Sequence, residues 1–266
     1  MGYDLKDRVV FITGASSGIG AAAARAYASA GAKVVLAARR AGLLDELARE
    51  LERAGHEALP VECDVTREQS VQDAVGKARH RFSRLDVLVN NAGLGLYGPV
   101  AELTAEQLHA NFEVNVYGVL RCIQACLPHI RRRGEGQIVN VSSVLGHRAL
   151  PGMGGYCASK FALNALTESM RIELKGANID VILISPGLTD TEFRASAMTT
   201  SGKRESRAPG KPMTAAEVAK VMVRASRKRE RSVVLTLAGK AMVSANRLSP
   251  ALFDRVALRM VGPQES

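Results

Sequence analysis

The chain has 266 residues, 47% of them hydrophobic, and its 36 Lys and Arg against 26 Asp and Glu give a formal net charge of +10. This length and composition can bury one large hydrophobic core. No stretch reaches the roughly 20 apolar residues of a membrane-spanning helix, and the first eight residues lack the apolar core of a signal peptide. The four cysteines form no Cys-x-x-Cys motif, so we expect a reduced, cytoplasmic protein with no metal site.

The first predicted elements are a strand, a glycine-rich turn and a helix. Residues 9–12 form an apolar, β-branched run typical of a strand buried on both faces. The Ala-rich residues 21–30 predict a helix that Gly31 ends. Between them the chain reads Thr13-Gly14-Ala15-Ser16-Ser17-Gly18-Ile19-Gly20. Helix N-termini bind phosphate through free N–H groups, so this arrangement predicts a dinucleotide site, although its Gly-x-x-x-Gly-x-Gly spacing departs from Gly-x-Gly-x-x-Gly.

The end of the second predicted strand bears on which dinucleotide is bound. Residues 33–37 are followed by Ala38-Arg39-Arg40, and no acidic residue lies between Lys33 and Gly42. A coenzyme without the extra phosphate is usually held here by an Asp or Glu on the ribose 2′-OH. Arg39 instead offers a guanidinium for a 2′-phosphate, which favours NADP(H) over NAD(H). The alternative is that Arg39 and Arg40 are solvated surface charges.

Strand-like runs alternate with helical patterns along the rest of the chain. The runs cover residues 33–37, 58–63, 87–89, 137–142, 179–185 and 232–237. This alternation predicts an α/β fold in one domain, a Rossmann-type doubly wound parallel sheet with helices on both faces. In such a sheet the ligand lies in the crevice at the carboxyl ends of the strands.

A candidate for proton transfer comes next in the chain. Tyr156 and Lys160 are four residues apart, and Ser143 lies thirteen residues before the tyrosine. Residues four apart share one helix face, and a neighbouring cation favours the phenolate form of a tyrosine. The Ser143 hydroxyl could hold a carbonyl oxygen at the same place. The pair taken alone also fits an ordinary surface Tyr and Lys.

With these motifs in this order, the chain resembles the short-chain dehydrogenase/reductase family from about Asp7 to Thr191. The resemblance implies a catalytic set of Asn115, Ser143, Tyr156 and Lys160. It also implies that the coenzyme is contacted by Thr13, Gly14, Ser16, Ser17, Gly18, Ile19, Gly20, Arg39, Asp64, Val65, Asn91, Ala92, Gly93, Tyr156, Lys160, Pro186, Gly187, Thr189 and Thr191. Asp64 would meet the adenine ring, and the segment from Pro186 to Thr191 the nicotinamide amide.

The resemblance further implies the chemistry. Tyr156 would exchange a proton with the substrate oxygen while hydride passes between the nicotinamide and the carbon. Ser143 would hydrogen-bond that oxygen. Lys160 would lower the tyrosine pKa and hold the nicotinamide ribose, and Asn115 would help to position a water that passes protons toward the lysine.

The excess of positive charge lies in the C-terminal third. Through Phe193 the chain has 21 basic and 21 acidic residues, whereas from Arg194 onward it has 15 basic and 5 acidic ones. This region could contact an anionic membrane surface or an acidic partner such as an acyl carrier protein, or it could be a solvated basic face. Nucleic-acid binding is not expected, because no recognition motif is present.

The C-terminal end departs from the carrier-protein reductases of the family. Those reductases typically finish with Asp-Gly-Gly after the last strand, whereas this chain has Ala238-Gly239-Lys240. We therefore divide the chain into a catalytic and dinucleotide-binding domain, 1–237, and an extension, 238–266. Ser249 and Pro250 are helix-start signals, and an apolar face is formed by Leu252, Phe253, Val256, Ala257 and Met260.

These observations favour an NADP(H)-dependent oxidoreductase that interconverts a carbonyl and an alcohol, with an apolar small-molecule substrate. A 3-oxoacyl thioester reductase is the alternative among enzymes. A catalytically silent coenzyme-binding regulator is the alternative from another class. The family's habit of pairing through two long helices, at about 105–132 and 155–175, predicts a homodimer or homotetramer.

Overall fold

The computed structural model describes residues 2–200, 212–251 and 254–255. Within them, one sheet contains the parallel strands β1 (Val9–Thr13), β2 (Lys33–Ala38), β3 (Ala58–Glu62), β4 (Val87–Asn90), β5 (Gly136–Val141), β6 (Ile179–Ser185) and β7 (Ser232–Val234). Their order in space is β7-β6-β5-β4-β1-β2-β3. The order reverses between β1 and β4, so the dinucleotide crevice of a doubly wound fold is expected there.

Helices cover both faces of this sheet. They are α1 (Gly18–Ser29), α2 (Ala41–Arg53), α3 (Glu68–Phe82), α4 (Ala105–Phe112), α5 (Gly118–Arg131), α6 (Gly154–Glu173), α7 (Ala215–Lys228) and α8 (Leu237–Leu248). Helices α1, α2 and α7 share one buried core, and α3, α5 and α6 share the other. Within β1, Val10 and Ile12 face the first core while Val9 and Phe11 face the second. This two-sided burial explains the continuous apolar runs of the strands.

The predicted fold class and strands are confirmed, with shifts of one residue at several strand ends and three larger differences. The last strand stops at Val234 instead of continuing to Leu237, because Thr236 caps α8 by accepting from the Gly239 N–H at 2.9 Å. Helix α1 begins at Gly18, inside the glycine-rich turn. The helix expected at about 105–132 is interrupted by a π-helical segment, Glu113–Tyr117.

The C-terminal extension is described only in part. Helix α8 follows directly on the last strand, and the backbone is helical again at Pro250, Ala251, Asp254 and Arg255. Leu252, Phe253, Val256, Ala257 and Met260, which form the predicted apolar face, lie outside the described residues. In the part of the chain that the structure covers, no helix is both long enough and apolar enough to cross a membrane.

A buried carboxylate joins the amino ends of β1 and β4. Asp86 is fully buried, and it accepts from the Val9 N–H at 2.9 Å. Arg84 donates to both carboxylate oxygens, each at 2.7 Å, and Arg8 approaches at 3.4 Å. Since an ionised group in a protein interior needs such partners, this cluster determines how the chain enters the two central strands.

We expect Asp86→Ala to lower the free energy of unfolding by about 3–5 kcal/mol, because it removes the acceptor of the Val9 N–H and the anionic partner of Arg84, and takes one of two carboxylate partners from Arg8. Urea denaturation measures the loss. Asp73→Ala is the matched control, since Asp73 is exposed and accepts from the side-chain amide of Gln69 on the same helix. Equal stabilities for the two variants would contradict a structural role for Asp86.

Candidate active site

The glycine-rich turn has a shape that only glycine permits. Gly14 and Gly18 have positive φ angles of 65° and 53°. A Cβ on Gly20 would stand 2.1 Å from the Gly14 carbonyl oxygen and 2.6 Å from Nδ2 of Asn91. The absence of a side chain at Gly20 therefore lets the start of α1 pack directly on the turn and on Asn91, and the N-terminus of a helix is where a phosphate can bind.

The same turn is tied to the end of β4. The Thr13 hydroxyl accepts from the N–H groups of Asn91 and Ala92, both at 3.0 Å, and donates to the Val89 carbonyl at 3.3 Å. Asn91 donates from its side chain to the carbonyls of Thr13, at 2.9 Å, and Gly14, at 3.3 Å. Two of the predicted coenzyme segments are thus held side by side at the strand ends.

The other predicted coenzyme segments follow β3 and β6 and lie at the same edge of the sheet. Asp64 accepts from the N–H and hydroxyl of Thr66, at 3.0 and 2.8 Å, and so shapes the loop before α3. Val65 is buried against Gly118. After β6, the Thr191 side chain lies close to Gly18, 3.2 Å from where a Cβ would stand. Tertiary structure therefore brings these segments to the glycine-rich turn.

The two arginines after β2 differ in their surroundings. Arg40 donates to the hydroxyls of Ser16, at 3.2 Å, and Ser17, at 2.6 Å, and forms an ion pair with Glu192 at 3.1 Å. Both arginines are exposed, so these contacts of Arg40 are not a matter of burial. The sequence interpretation assigned the 2′-phosphate to Arg39 and considered Arg40 only as a surface charge. Adjacent arginines at a strand end give no signal of which one will point toward the turn.

The predicted catalytic residues meet on the other side of the crevice. Tyr156 and Lys160 lie on α6 and are both buried, with the lysine Nζ 5.8 Å from the centroid of the tyrosine ring. Nζ donates to the Val141 carbonyl, at 3.0 Å, at the end of β5. Ser143 follows that strand and forms a hydrogen bond with Tyr156. The structure therefore assembles Ser143, Tyr156 and Lys160.

Burial is the main cause of the pKa shifts of Tyr156 and Lys160. It raises the pKa of the Tyr156 phenol well above its ordinary value, and the hydrogen bond with Ser143 acts in the lowering direction. Burial also lowers the pKa of Lys160 to about 8. The Lys160 Nζ is directed to the Val141 carbonyl, and a lowering of the tyrosine pKa by this lysine stays a prediction.

Asn115 occupies the π-helical segment, and its side chain joins three parts of the site. Its amide oxygen accepts from the Leu94 N–H at 2.8 Å. Its amide nitrogen donates to the Leu94 carbonyl at 2.9 Å, to Ser159 at 3.0 Å and to Asn111 at 3.3 Å. A π-helical turn breaks the regular i to i−4 hydrogen bonding of the helix, and such turns are frequent at functional sites.

Apolar side chains surround the tyrosine. Phe193 presents an edge to the Tyr156 ring, with 5.7 Å between centroids. The buried members of this cluster are Leu96, Leu145, Tyr156 and Cys157, and the partly buried ones are Leu103, Leu108, Val144, Leu150, Met153, Phe193 and Met198. A substrate that approaches Tyr156 therefore meets an apolar wall.

The C-terminal extension rests on the loop that carries Ser143. A Cβ on Gly239 would stand 2.6 Å from Cγ1 of Val144, so α8 packs closely on this loop. Arg148 donates to Asn246 of α8 at 2.9 Å and forms an ion pair with Asp254. The extension therefore contributes to the surroundings of the catalytic residues.

Comparison with known proteins agrees with this geometry. A profile of the family described as short chain dehydrogenase matches residues 8–202. The uncharacterized oxidoreductase YxnA of Bacillus subtilis (strain 168) is 36% identical over 255 residues, which are 95% of this chain and 72% of that protein.

Two solved structures share the fold over nearly their whole length. A short chain dehydrogenase/reductase from Burkholderia phymatum in complex with NAD has a TM-score of 0.84 and 29% identity, covering 94% of this chain and 96% of that one. An alcohol dehydrogenase from the archaeon Thermococcus sibiricus, complexed with 5-hydroxy-NADP, has a TM-score of 0.76 and 33% identity, covering 86% and 96%. The chain belongs to the short-chain dehydrogenase family, whose members are oxidoreductases that use a nicotinamide coenzyme.

Proposed function

We propose that this protein is an NADP(H)-dependent oxidoreductase that interconverts a carbonyl and an alcohol on an apolar small molecule. The observation that carries the proposal is the hydrogen-bonded pair of Ser143 and Tyr156 beside Lys160, buried among apolar side chains at the carboxyl ends of the strands. The glycine-rich turn lies at the same edge of the sheet, so coenzyme and substrate would meet there.

The coenzyme would be held by the turn from Thr13 to Gly20 and by the segments after β3, β4 and β6. Gly20 keeps the start of α1 close to the turn, because any larger residue would collide with the Gly14 carbonyl, and a helix N-terminus in this place can bind the pyrophosphate. When bound, the nicotinamide supplies the hydride chemistry. Asp64 is the proposed contact of the adenine end of the coenzyme, and Thr189 and Thr191 are the proposed contacts of its nicotinamide end. Arg39 is the proposed partner of the 2′-phosphate.

Tyr156 would give its proton to the carbonyl oxygen in reduction and take it back in oxidation. A phenol with a raised pKa keeps its proton at neutral pH, which suits it as the acid in reduction. Ser143 would donate to the same oxygen and stabilise its developing charge. Asn115, through Leu94 and Ser159, would hold the π-helical segment against α6.

The substrate class follows from the walls of the site. The cluster around Tyr156 is apolar. After the last strand, where the carrier-protein reductases have Asp-Gly-Gly, this chain has α8, which packs on the loop after Ser143. We therefore favour an apolar carbonyl compound over a 3-oxoacyl thioester. The assembled Ser143, Tyr156 and Lys160 argue against a silent coenzyme-binding regulator, which would not require all three.

An assembly of identical chains is also proposed. Helices α5 and α6 carry exposed large apolar side chains: Leu120 on α5, Phe161, Leu166 and Ile172 on α6, with Tyr117 just before α5. Such residues are typical of an interface between subunits. A cytoplasmic location and contact of the basic C-terminal third with a membrane or an acidic carrier protein stay predictions.

We expect Tyr156→Phe to lower turnover by about 10²–10⁴-fold, because it removes the proton donor and keeps the ring. The measurement is NADPH oxidation with the most reactive member of a panel of aldehydes and ketones. Coenzyme affinity should stay close to that of the parent. Tyr117→Phe, at an exposed tyrosine, is the control, and parental turnover in Tyr156→Phe would remove that residue from the mechanism.

We expect the affinity for NADPH to fall as the pH rises through about 8, where Lys160 loses its proton. The cationic form, present below that pH, is the one proposed to bind the nicotinamide ribose. Fluorescence titration between pH 6.5 and about 9.5 measures this dependence. Lys160→Met should bind weakly and show no such step, whereas Lys175→Met, at an exposed position, should behave as the parent. A parent affinity independent of pH would contradict this role.

We expect Arg39→Asp to shift the coenzyme preference toward NADH, because it removes a cation from the 2′-phosphate and supplies an acceptor for a free 2′-OH. Dissociation constants for NADPH and NADH decide this, with Arg53→Asp on α2 as the control. A parent protein that already prefers NADH would show that the interpretation of the strand end is wrong.

A further inference from the structure

One guanidinium connects the glycine-rich turn to the segment after β6. Arg40 donates to the hydroxyl oxygens of Ser16 and Ser17, and its remaining terminal nitrogen lies 3.1 Å from Oε2 of Glu192. Glu192 directly follows Thr191, whose side chain lies beside Gly18. The contact joins residues 152 positions apart, so no local sequence pattern indicates it.

The position of this ion pair matters because it lies beside the proposed site for the adenosine ribose of the coenzyme. Arg40 follows β2, at the point where Rossmann folds meet the 2′ position of the adenosine ribose. A 2′-phosphate carries close to two negative charges at neutral pH and forms strong charge-assisted hydrogen bonds with guanidinium groups. Arg40 already has one anionic partner, the Glu192 carboxylate. A coenzyme phosphate bound there would therefore compete with the Glu192 carboxylate for Arg40.

The ion pair between Arg40 and Glu192 is weak enough for a coenzyme phosphate to displace the carboxylate. The side chains of Arg40 and Glu192 are 48% and 67% exposed, and ion pairs this exposed are weak. The pair can be broken at small cost when a stronger anion arrives. NADH has an uncharged 2′-OH and therefore does not compete with Glu192 for Arg40.

We propose that Glu192 determines how strongly the protein prefers one nicotinamide coenzyme over the other, by competing with the 2′-phosphate for Arg40. Glu192 lowers the affinity for NADPH and leaves the affinity for NADH nearly unchanged. Arg40 is the cation that both anions share. The inference rests on the proposed coenzyme site, and it assigns a specificity role to a residue outside the predicted coenzyme contacts.

The test is Glu192→Gln, which keeps the size of the side chain and removes its charge. Dissociation constants for NADPH and NADH are measured by fluorescence at low ionic strength. We expect NADPH to bind about 3- to 10-fold more tightly, and NADH to change by less than about 2-fold. The gain should shrink in high salt, since the charges are exposed. Glu173→Gln on α6, which removes an exposed carboxylate that accepts from Ser169, is the control.

A double variant tests the shared cation. Arg40→Gln should weaken NADPH binding, and adding Glu192→Gln to it should then have no further effect. If Glu192→Gln changes both coenzymes equally, the ion pair only holds the segment in place and the inference is wrong. The inference is also wrong if Glu192→Gln leaves the affinities for both coenzymes unchanged.

Failure of this inference is distinguishable from failure of the proposed function. A parent protein that binds neither NADPH nor NADH contradicts the coenzyme site itself. If the parent binds coenzyme and Arg39→Asp shifts the preference while Glu192→Gln does not, the proposed function stands and the competition for Arg40 does not exist.

Discussion

The hydrogen bonds that the Thr13 hydroxyl accepts from the N–H groups of Asn91 and Ala92 are the contacts on which the site depends. They join the ends of β1 and β4, where the strand order reverses and the sheet leaves a crevice. The glycine-rich turn, α1 and the loop after β4 all start from this junction. Their close approach leaves no space for a Cβ on Gly20.

Burial is the second constraint, and it acts on both titrating groups of the proposed mechanism. The same apolar surroundings that raise the pKa of Tyr156 lower that of Lys160, because each shift favours the neutral form. The phenol therefore keeps its proton, and the pKa of the lysine beside it is about 8. Hydrogen bonds from Ser143 and Tyr156 to an oxyanion formed there would be stronger than in water, because the low dielectric of a buried site screens them less.

Contacts between distant segments shape both parts of the proposed site. Glu192 reaches back to Arg40 at the glycine-rich turn, and Arg148 joins the loop after Ser143 to α8. Both contacts use arginine, whose planar group can hold several oxygen atoms at once. The proposed site is thus built from segments far apart in the chain, and differences in such segments let proteins of one fold carry out different functions.

Much of this arrangement was determined by the sequence alone. Buried strands have continuous apolar runs, and glycine spacing shows where a backbone must approach a ligand, so the fold class, the strands and the glycine-rich turn could be predicted. Tyr156 and Lys160 were placed on one helix face by their spacing. Only the tertiary structure decided that Arg40 contacts the turn, that Lys160 points to Val141 and that α8 packs on the loop after Ser143. Those contacts join residues far apart in the chain, and side-chain direction and desolvation depend on neighbours that no local pattern specifies.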